Sequence, residues 1–216
     1  MTVNLKKPAQ EYFEGQRSDV ADLVPLDCRR VLDVGCGYGG LGRSLQARGI
    51  EHIFGVEINA DAASRLNDVY SGYWIGDVEH VTLPADIDDF DCIVFADVLE
   101  HLRDPWGTLQ RYLQWLKPGG YVVVSVPNVR NLALLYRLIV QGHWEYENSG
   151  LLDRTHLRFF TRHSIVEMLE GAGLTVERWS INRDGYTGVR KAVASVAKMF
   201  IPEIDVCQYL VVARKS

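Results

Sequence analysis

Apolar and polar positions alternate along the chain in two kinds of block. Short, nearly unbroken apolar runs recur at 29–34, 53–57, 91–96 and 121–126, with a briefer one at 74–76. Runs of that length without alternation predict strands covered on both faces. Helical spacing fills the gaps, at 41–48, at 60–67, and after Asp104-Pro105, where Trp106, Leu109, Leu113 and Leu116 share one predicted face. An acid followed by Pro is a helix-start signal, and Lys117-Pro-Gly-Gly120 stops the segment. Strands alternating with helices of about ten residues imply βαβ units and a parallel sheet. Ahead of them, Ser18 is expected to cap a short helix carrying Val20, Leu23 and Val24, ended by Pro25.

Beyond Pro127 the pattern changes. Leu132, Leu135, Tyr136 and Ile139 predict a helix, followed by an aromatic and polar loop over 141–160. Ile165, Met168, Leu169 and Ala172 predict another helix, closed by Gly171 and Gly173. Two further strands are expected at 174–181 and 207–213. Between them, 185–203 predicts a helix with Val189, Val193, Val196 and Phe200 on one face. The total is a seven-strand α/β sheet with late insertions.

With 216 residues and 47% hydrophobic composition, the chain suits one domain with a real core. No apolar run reaches the length of a membrane span, and the N-terminus is polar without an apolar signal segment. Cys28, Cys36, Cys92 and Cys207 form no CxxC pair, which points to reduced thiols and a cytoplasmic protein. The net charge of −5 argues against general nucleic-acid binding, though a local basic pocket remains compatible with it.

The chemistry starts at Val31-Leu-Asp-Val-Gly-Cys-Gly-Tyr-Gly-Gly40, between a strand and a helix. Gly35, Gly37 and Gly40 satisfy G-x-G-x-x-G, a weak signal alone because dinucleotide enzymes share it. Asp33 decides between ligands. A dinucleotide would set a pyrophosphate beside this acid, and the two would repel. S-adenosylmethionine (SAM) would instead bring an ammonium group, which Asp33 attracts directly or through water. Glu57, at the end of the second strand, is placed to accept from ribose hydroxyls. Asp77 could accept from an adenine amino group while Val78 offers its N–H; plain turn chemistry competes with that role.

The segments VLDVGCGYGG, GVEI, GDVE, FDCIVFADVLEHLRDP, LKPGGYVVVSVPN and QYLVVARK, taken in order, resemble the class I SAM-dependent methyltransferase superfamily. The resemblance implies a Rossmann-like sheet, mostly parallel, with helices on both faces and the last strand antiparallel. It implies a single domain over 1–216, in which 1–28 forms a lead-in or lid and 129–160 and 185–203 are substrate-side insertions. SAM would lie along Asp33, Gly35, Cys36, Gly37, Glu57, Ile58, Asp77, Val78, Asp97 and Val98. Three segments further resemble methyltransferases of bacterial surface-polysaccharide assembly: Ser125-Val-Pro-Asn-Val129, Gly150-Leu-Leu-Asp-Arg-Thr-His-Leu-Arg-Phe-Phe-Thr161 and Cys207-Gln-Tyr-Leu-Val-Val-Ala-Arg214. That likeness implies a sugar hydroxyl as acceptor, with an aromatic or quinone-like acceptor and a non-catalytic SAM-binding partner as alternatives.

Methyl transfer to an alcohol needs alignment of the acceptor and a base for its proton. His101 and His156 are the candidate bases, with Glu100 orienting His101 or facing the acceptor. A purely structural role competes for each histidine. Asp97, Glu100 and His101 could also hold a divalent ion, as in related quinone O-methyltransferases, but no metal is expected. His143, Trp144, Tyr146, Arg154 and Arg158 are expected to contact the acceptor, since aromatic faces and forked guanidinium donors suit a hydroxylated ring. Tyr12 and Phe13 are candidate lid residues. The 185–203 helix could touch a membrane surface or a second subunit of a homodimer.

Overall fold

The computed structural model describes residues 17–84, 87 and 89–216. Tyr12 and Phe13 lie outside the described residues. Seven strands form one sheet: β1 (Arg30–Val34), β2 (His52–Glu57), β3 (Gly72–Ile75), β4 (Phe90–Ala96), β5 (Leu116–Pro127), β6 (Leu174–Arg183) and β7 (Val206–Lys215). Their spatial order is β3-β2-β1-β4-β5-β7-β6. The first five are parallel neighbours, while β7 runs antiparallel to both β5 and β6. The seven-strand, mostly parallel expectation with its reversed last strand is therefore met.

The unbroken apolar runs have a simple cause. Successive side chains of a strand point to opposite faces, and both faces are covered. Val31, Ile53, Cys92, Val94 and Val123 pack on one side against α1 (Ser18–Ala21), α2 (Gly40–Ala47) and α3 (Ala63–Leu66). Leu32, Val56, Ile93, Phe95, Val122 and Val124 pack on the other against α4 (Pro105–Tyr112) and α6 (Arg162–Gly171). The α4 cap is as expected: Asp104 accepts from the Gly107 N–H at 3.0 Å, with Pro105 opening the helix. Thr161 and Ser164 form a reciprocal capping box on α6.

Three local expectations need correction. Ser18 lies inside α1 and does not cap it, since Arg17 occupies the cap position, without a side-chain cap bond. Trp106 is half-exposed, and Thr108 and Tyr112 join Leu109 on the buried side of α4. The helix after Pro127 is only α5 (Leu132–Leu135), continued by a wider π-turn over Tyr136–Val140 that buries none of its residues. The helix in the last crossover, α7 (Gly188–Ala197), carries its large apolar residues outward. No helix among the described residues is long and apolar enough to cross a membrane.

Candidate active site

β1 and β4 are neighbours, but β2 lies on one side of β1 and β5 on the far side of β4. The order of assembly reverses at that seam, the place where open α/β sheets bind their ligands, and the loops leaving β1 and β4 lie side by side there. The acids from the sequence sit along this carboxyl edge. Asp33 is the penultimate residue of β1, Glu57 ends β2, Asp77 follows β3 and Asp97 follows β4.

Gly35 shows why glycine is needed in the first loop. Its φ is +74°, and a Cβ there would lie 2.5 Å from Val98 Cγ2. The β1 and β4 loops therefore touch, with Val98 buried between them. Glu57 holds the loop from the other side: Oε2 accepts from the Gly37 N–H at 2.8 Å and Oε1 from the Asn59 N–H at 2.8 Å. The N–H groups of Gly35 and Cys36 are already bonded to the Val56 carbonyl. The Cys36 side chain is buried, its thiol pushed upward by burial and by the nearby Asp33 and Glu57 charges. Ile58 is largely exposed.

Asp33 is 1% exposed. Its Oδ2 accepts from the Tyr70 hydroxyl at 2.6 Å. Burial pushes the carboxyl up to about 7; the Tyr70 bond opposes this, the Glu57 charge adds to it, and the Arg17 charge opposes it. The acid is thus held in low dielectric, where a cation brought to it would interact strongly.

Asp97 has a left-handed backbone, φ 57°, which turns the chain sharply off β4. Its carboxylate accepts from Ser125 Oγ at 2.9 Å, from Gln208 Nε2 and from the Arg17 guanidinium. Arg17 also donates to Ser125 Oγ at 3.1 Å and pairs with Asp19 at 3.0 Å. A partly buried cation thus stands past the end of β4, between Asp97 and Asp19 and within electrostatic reach of Asp33. Neither Arg17 nor Tyr70 was foreseen, because each works through a partner remote in sequence. Asp77 does carry turn chemistry, accepting from the Glu79 N–H at 2.8 Å and facing His80 Nδ1 at 3.0 Å. Val78 is buried with its carbonyl bonded to Arg111 and Tyr112.

The segment after β4 forms a 3-10 turn, Leu99–His101, which meets the loop before α6. The Glu100 carbonyl accepts from the N–H groups of Leu157 and Arg158, at 2.8 and 3.0 Å. That pairing brings together residues more than fifty positions apart. His101 and His156 rings meet edge-to-face at 4.7 Å, and His101 Nδ1 lies 3.0 Å from Thr155 Oγ1. The Glu100 carboxyl is buried with neither oxygen hydrogen-bonded among the described residues, and burial, then Asp97, raise its pKa well above the usual range. Burial, then the His101 charge, lower the pKa of His156, so its imidazole stays neutral at neutral pH. One donor atom from each of Glu100, His101 and His156 lies within 4.8 Å of the others, the metal-capable group found among the described residues. Asp97, the residue that could have joined Glu100 and His101 around an ion, is engaged elsewhere by Arg17, Ser125 and Gln208.

The acceptor-side residues separate. Trp144 packs edge-to-face on Phe159 at 5.4 Å. Arg158 lies over the Trp106 ring at 5.8 Å and bonds the Arg103 carbonyl. His143, Tyr146 and Arg154 are exposed on the loop.

Residues 9–178 match a family model described as a methyltransferase domain. Among curated proteins, the chain is 30% identical over 176 residues to the ubiquinone biosynthesis O-methyltransferase of Xylella fastidiosa, covering 74% of this chain and 70% of that protein. It is 34% identical over 167 residues to the protein of that name from Dinoroseobacter shibae, covering 72% and 64%. Among solved structures, a SAM-dependent methyltransferase from Archaeoglobus fulgidus shares the fold with a TM-score of 0.66 at 22% identity, over 95% of this chain and 97% of that one. The matched family model spans most of the chain, and the sheet that carries Asp33, Glu57 and Asp97 is common to SAM-dependent methyltransferases along nearly its full length; the protein belongs to the methyltransferase-domain family and is an enzyme that takes SAM as its cofactor.

Proposed function

We propose that the enzyme methylates a hydroxyl oxygen on an aromatic, quinol-like ring. The observation that carries this reading is the convergence of Glu100, His101 and His156 beside the end of β4. A neutral imidazole there can take a phenolic proton, because phenols ionise near pH 10, far more readily than sugar hydroxyls. The names of the relatives, ubiquinone biosynthesis O-methyltransferases, support the same acceptor class. They favour it over the sugar acceptor that the polysaccharide-type segments had suggested.

When bound, SAM supplies an electrophilic methyl group on a sulfonium. Asp33 would hold its ammonium and Arg17 its carboxylate, while Glu57 takes the ribose hydroxyls and Asp77 the adenine amino group. His156 would accept the phenolic proton as the acceptor oxygen takes the methyl group, with His101 packed against it to fix the ring. Trp144, Phe159 and Trp106 offer apolar faces for the acceptor, and Arg158 is steadied over one of them.

One observation favours a metal-assisted form. Two buried Glu100 oxygens without a partner among the described residues, next to two imidazoles, fit a divalent cation. Glu100, His101 and His156 would hold it, and it would favour the ionised phenol.

The test is transfer of labelled methyl from SAM to catechols, prenylated dihydroxyphenols and nucleotide sugars, with and without a chelator. Methylation of a phenol, lost in His156→Gln, is expected. Methylation of a nucleotide sugar with no phenol turned over would overturn the aromatic reading, and indifference to the chelator would remove the metal.

A further inference from the structure

Surface helices ordinarily bury their large apolar residues and expose small or polar ones. In α7 the arrangement is inverted. Ala194 is its buried residue and Ala197 is partly covered, while Val189, Val193 and Val196 are exposed, as is Phe200 just beyond its end. These four recur at helical spacing and form one stripe. Met199, beside Phe200, is 78% exposed.

A second exposed apolar group lies on the turn after α5. Tyr136, Leu138, Ile139 and Val140 all face solvent on the π-turn after α5. Both segments spring from one anchored hub. The Leu132 N–H donates to the Ile204 carbonyl at 2.7 Å, Asn131 Nδ2 donates to Asp184 at 2.6 Å, and the Tyr186 hydroxyl bonds both Asp184 and Asn131. Apolar exposure on this scale, on two segments rooted in one hydrogen-bonded hub, marks an interaction surface.

Charge selects the occupant. Residues 185–202 contain Arg190, Lys191 and Lys198 and no acid; residues 129–144 contain Arg130 and Arg137 and no acid. The chain as a whole has net charge −5. Arg137 is answered by Glu145 and Glu147 and Lys198 by Asp205, acids that flank the two segments, which leaves Arg130 and Lys191 exposed beside the apolar stripes. A second copy of the chain would set this patch against itself in a two-fold interface, cation against cation. A surface of anionic lipid headgroups over acyl chains matches both the charge and the apolar stripe. We propose that α7 and the 136–140 turn dock the enzyme on an anionic membrane surface. The proposal is independent of the acceptor's identity.

The experiment is co-sedimentation of the full chain with vesicles of phosphatidylcholine alone or mixed with phosphatidylglycerol. The mixed vesicles should carry the protein down and the neutral ones should not. The Val193→Asp/Phe200→Asp variant should lose at least about tenfold in partitioning, with its circular dichroism and SAM affinity unchanged. Lys191→Glu, at an exposed position, should weaken the same binding and keeps the test decisive if the double variant does not fold. Wild-type protein left in solution by both vesicle types would overturn the proposal, as would equal sedimentation of wild type and variants. A dimer in analytical ultracentrifugation that the double variant splits, without vesicle binding, would assign the face to a second copy instead.

Discussion

Asp33→Asn should make the unliganded enzyme more stable while disabling it. The carboxyl is buried beneath the glycine loop, and its folded-state value of about 7 stands above an ordinary 3.8. A raised acid contributes stability that is complete below the unfolded value and is lost as pH climbs through the folded one. The gap, at about 1.36 kcal/mol per pH unit, amounts to roughly 4 kcal/mol once pH exceeds 7, and to about 1.5 kcal/mol at pH 5. The amide keeps an acceptor for the Tyr70 hydroxyl and removes the ionisation. Urea unfolding without ligand should therefore show a gain of about 2–4 kcal/mol at pH 8, shrinking to about 1–1.5 kcal/mol at pH 5. Heating should move the midpoint by about 2–4 °C per kcal/mol. SAM affinity should fall at least about a hundredfold, because the ammonium loses its buried counter-charge. A variant no more stable than wild type at pH 8, or equally stabilised at both pH values, would refute the burial argument. Unchanged SAM affinity would refute the ammonium assignment.

Arg17→Ala removes the cation that bonds Asp97 and Ser125. It should cost about 1–3 kcal/mol of stability in urea unfolding and raise KM for SAM about tenfold or more with kcat little changed; an unaltered KM would exclude Arg17 from the cofactor site. Gly42→Ala places a Cβ 2.6 Å from the Tyr70 ring and hydroxyl and 2.7 Å from Val69. Overpacking there should cost about 1–3 kcal/mol and push Tyr70 off Asp33, so a variant with wild-type midpoint and SAM affinity would show that Tyr70 does not hold the acid.

The strands and the acids along the carboxyl edge were legible in the sequence because both obey local rules. Burial on two faces leaves an unbroken apolar run, and a ligand on a parallel sheet collects residues just past the strand ends. Arg17 and Tyr70 follow no such rule. Their roles depend on partners 80 and 37 positions away, Asp97 and Asp33, and nothing in their own neighbourhoods announces them. His156 was visible as a candidate, but its contact with His101 comes from the Glu100 carbonyl pinning the loop before α6. Periodicity also identified the α7 stripe without saying which side the protein would keep. Ala194 and Ala197 permit the close approach, and the larger residues are left outside.

The placement of β7 between β5 and β6 has a consequence for biosynthesis. β6 is made before the strand that will join it to the sheet, and α7 and its flanks must be synthesised in between. During that interval a ten-residue strand stands with its ladder groups unpaired on both edges, in the state most open to mispairing with another nascent chain. Slow translation or a weakened β7 would lengthen the interval. Chaperone dependence and inclusion-body formation in such variants would then follow the kinetics of the last strand's arrival, independently of how stable the finished enzyme is.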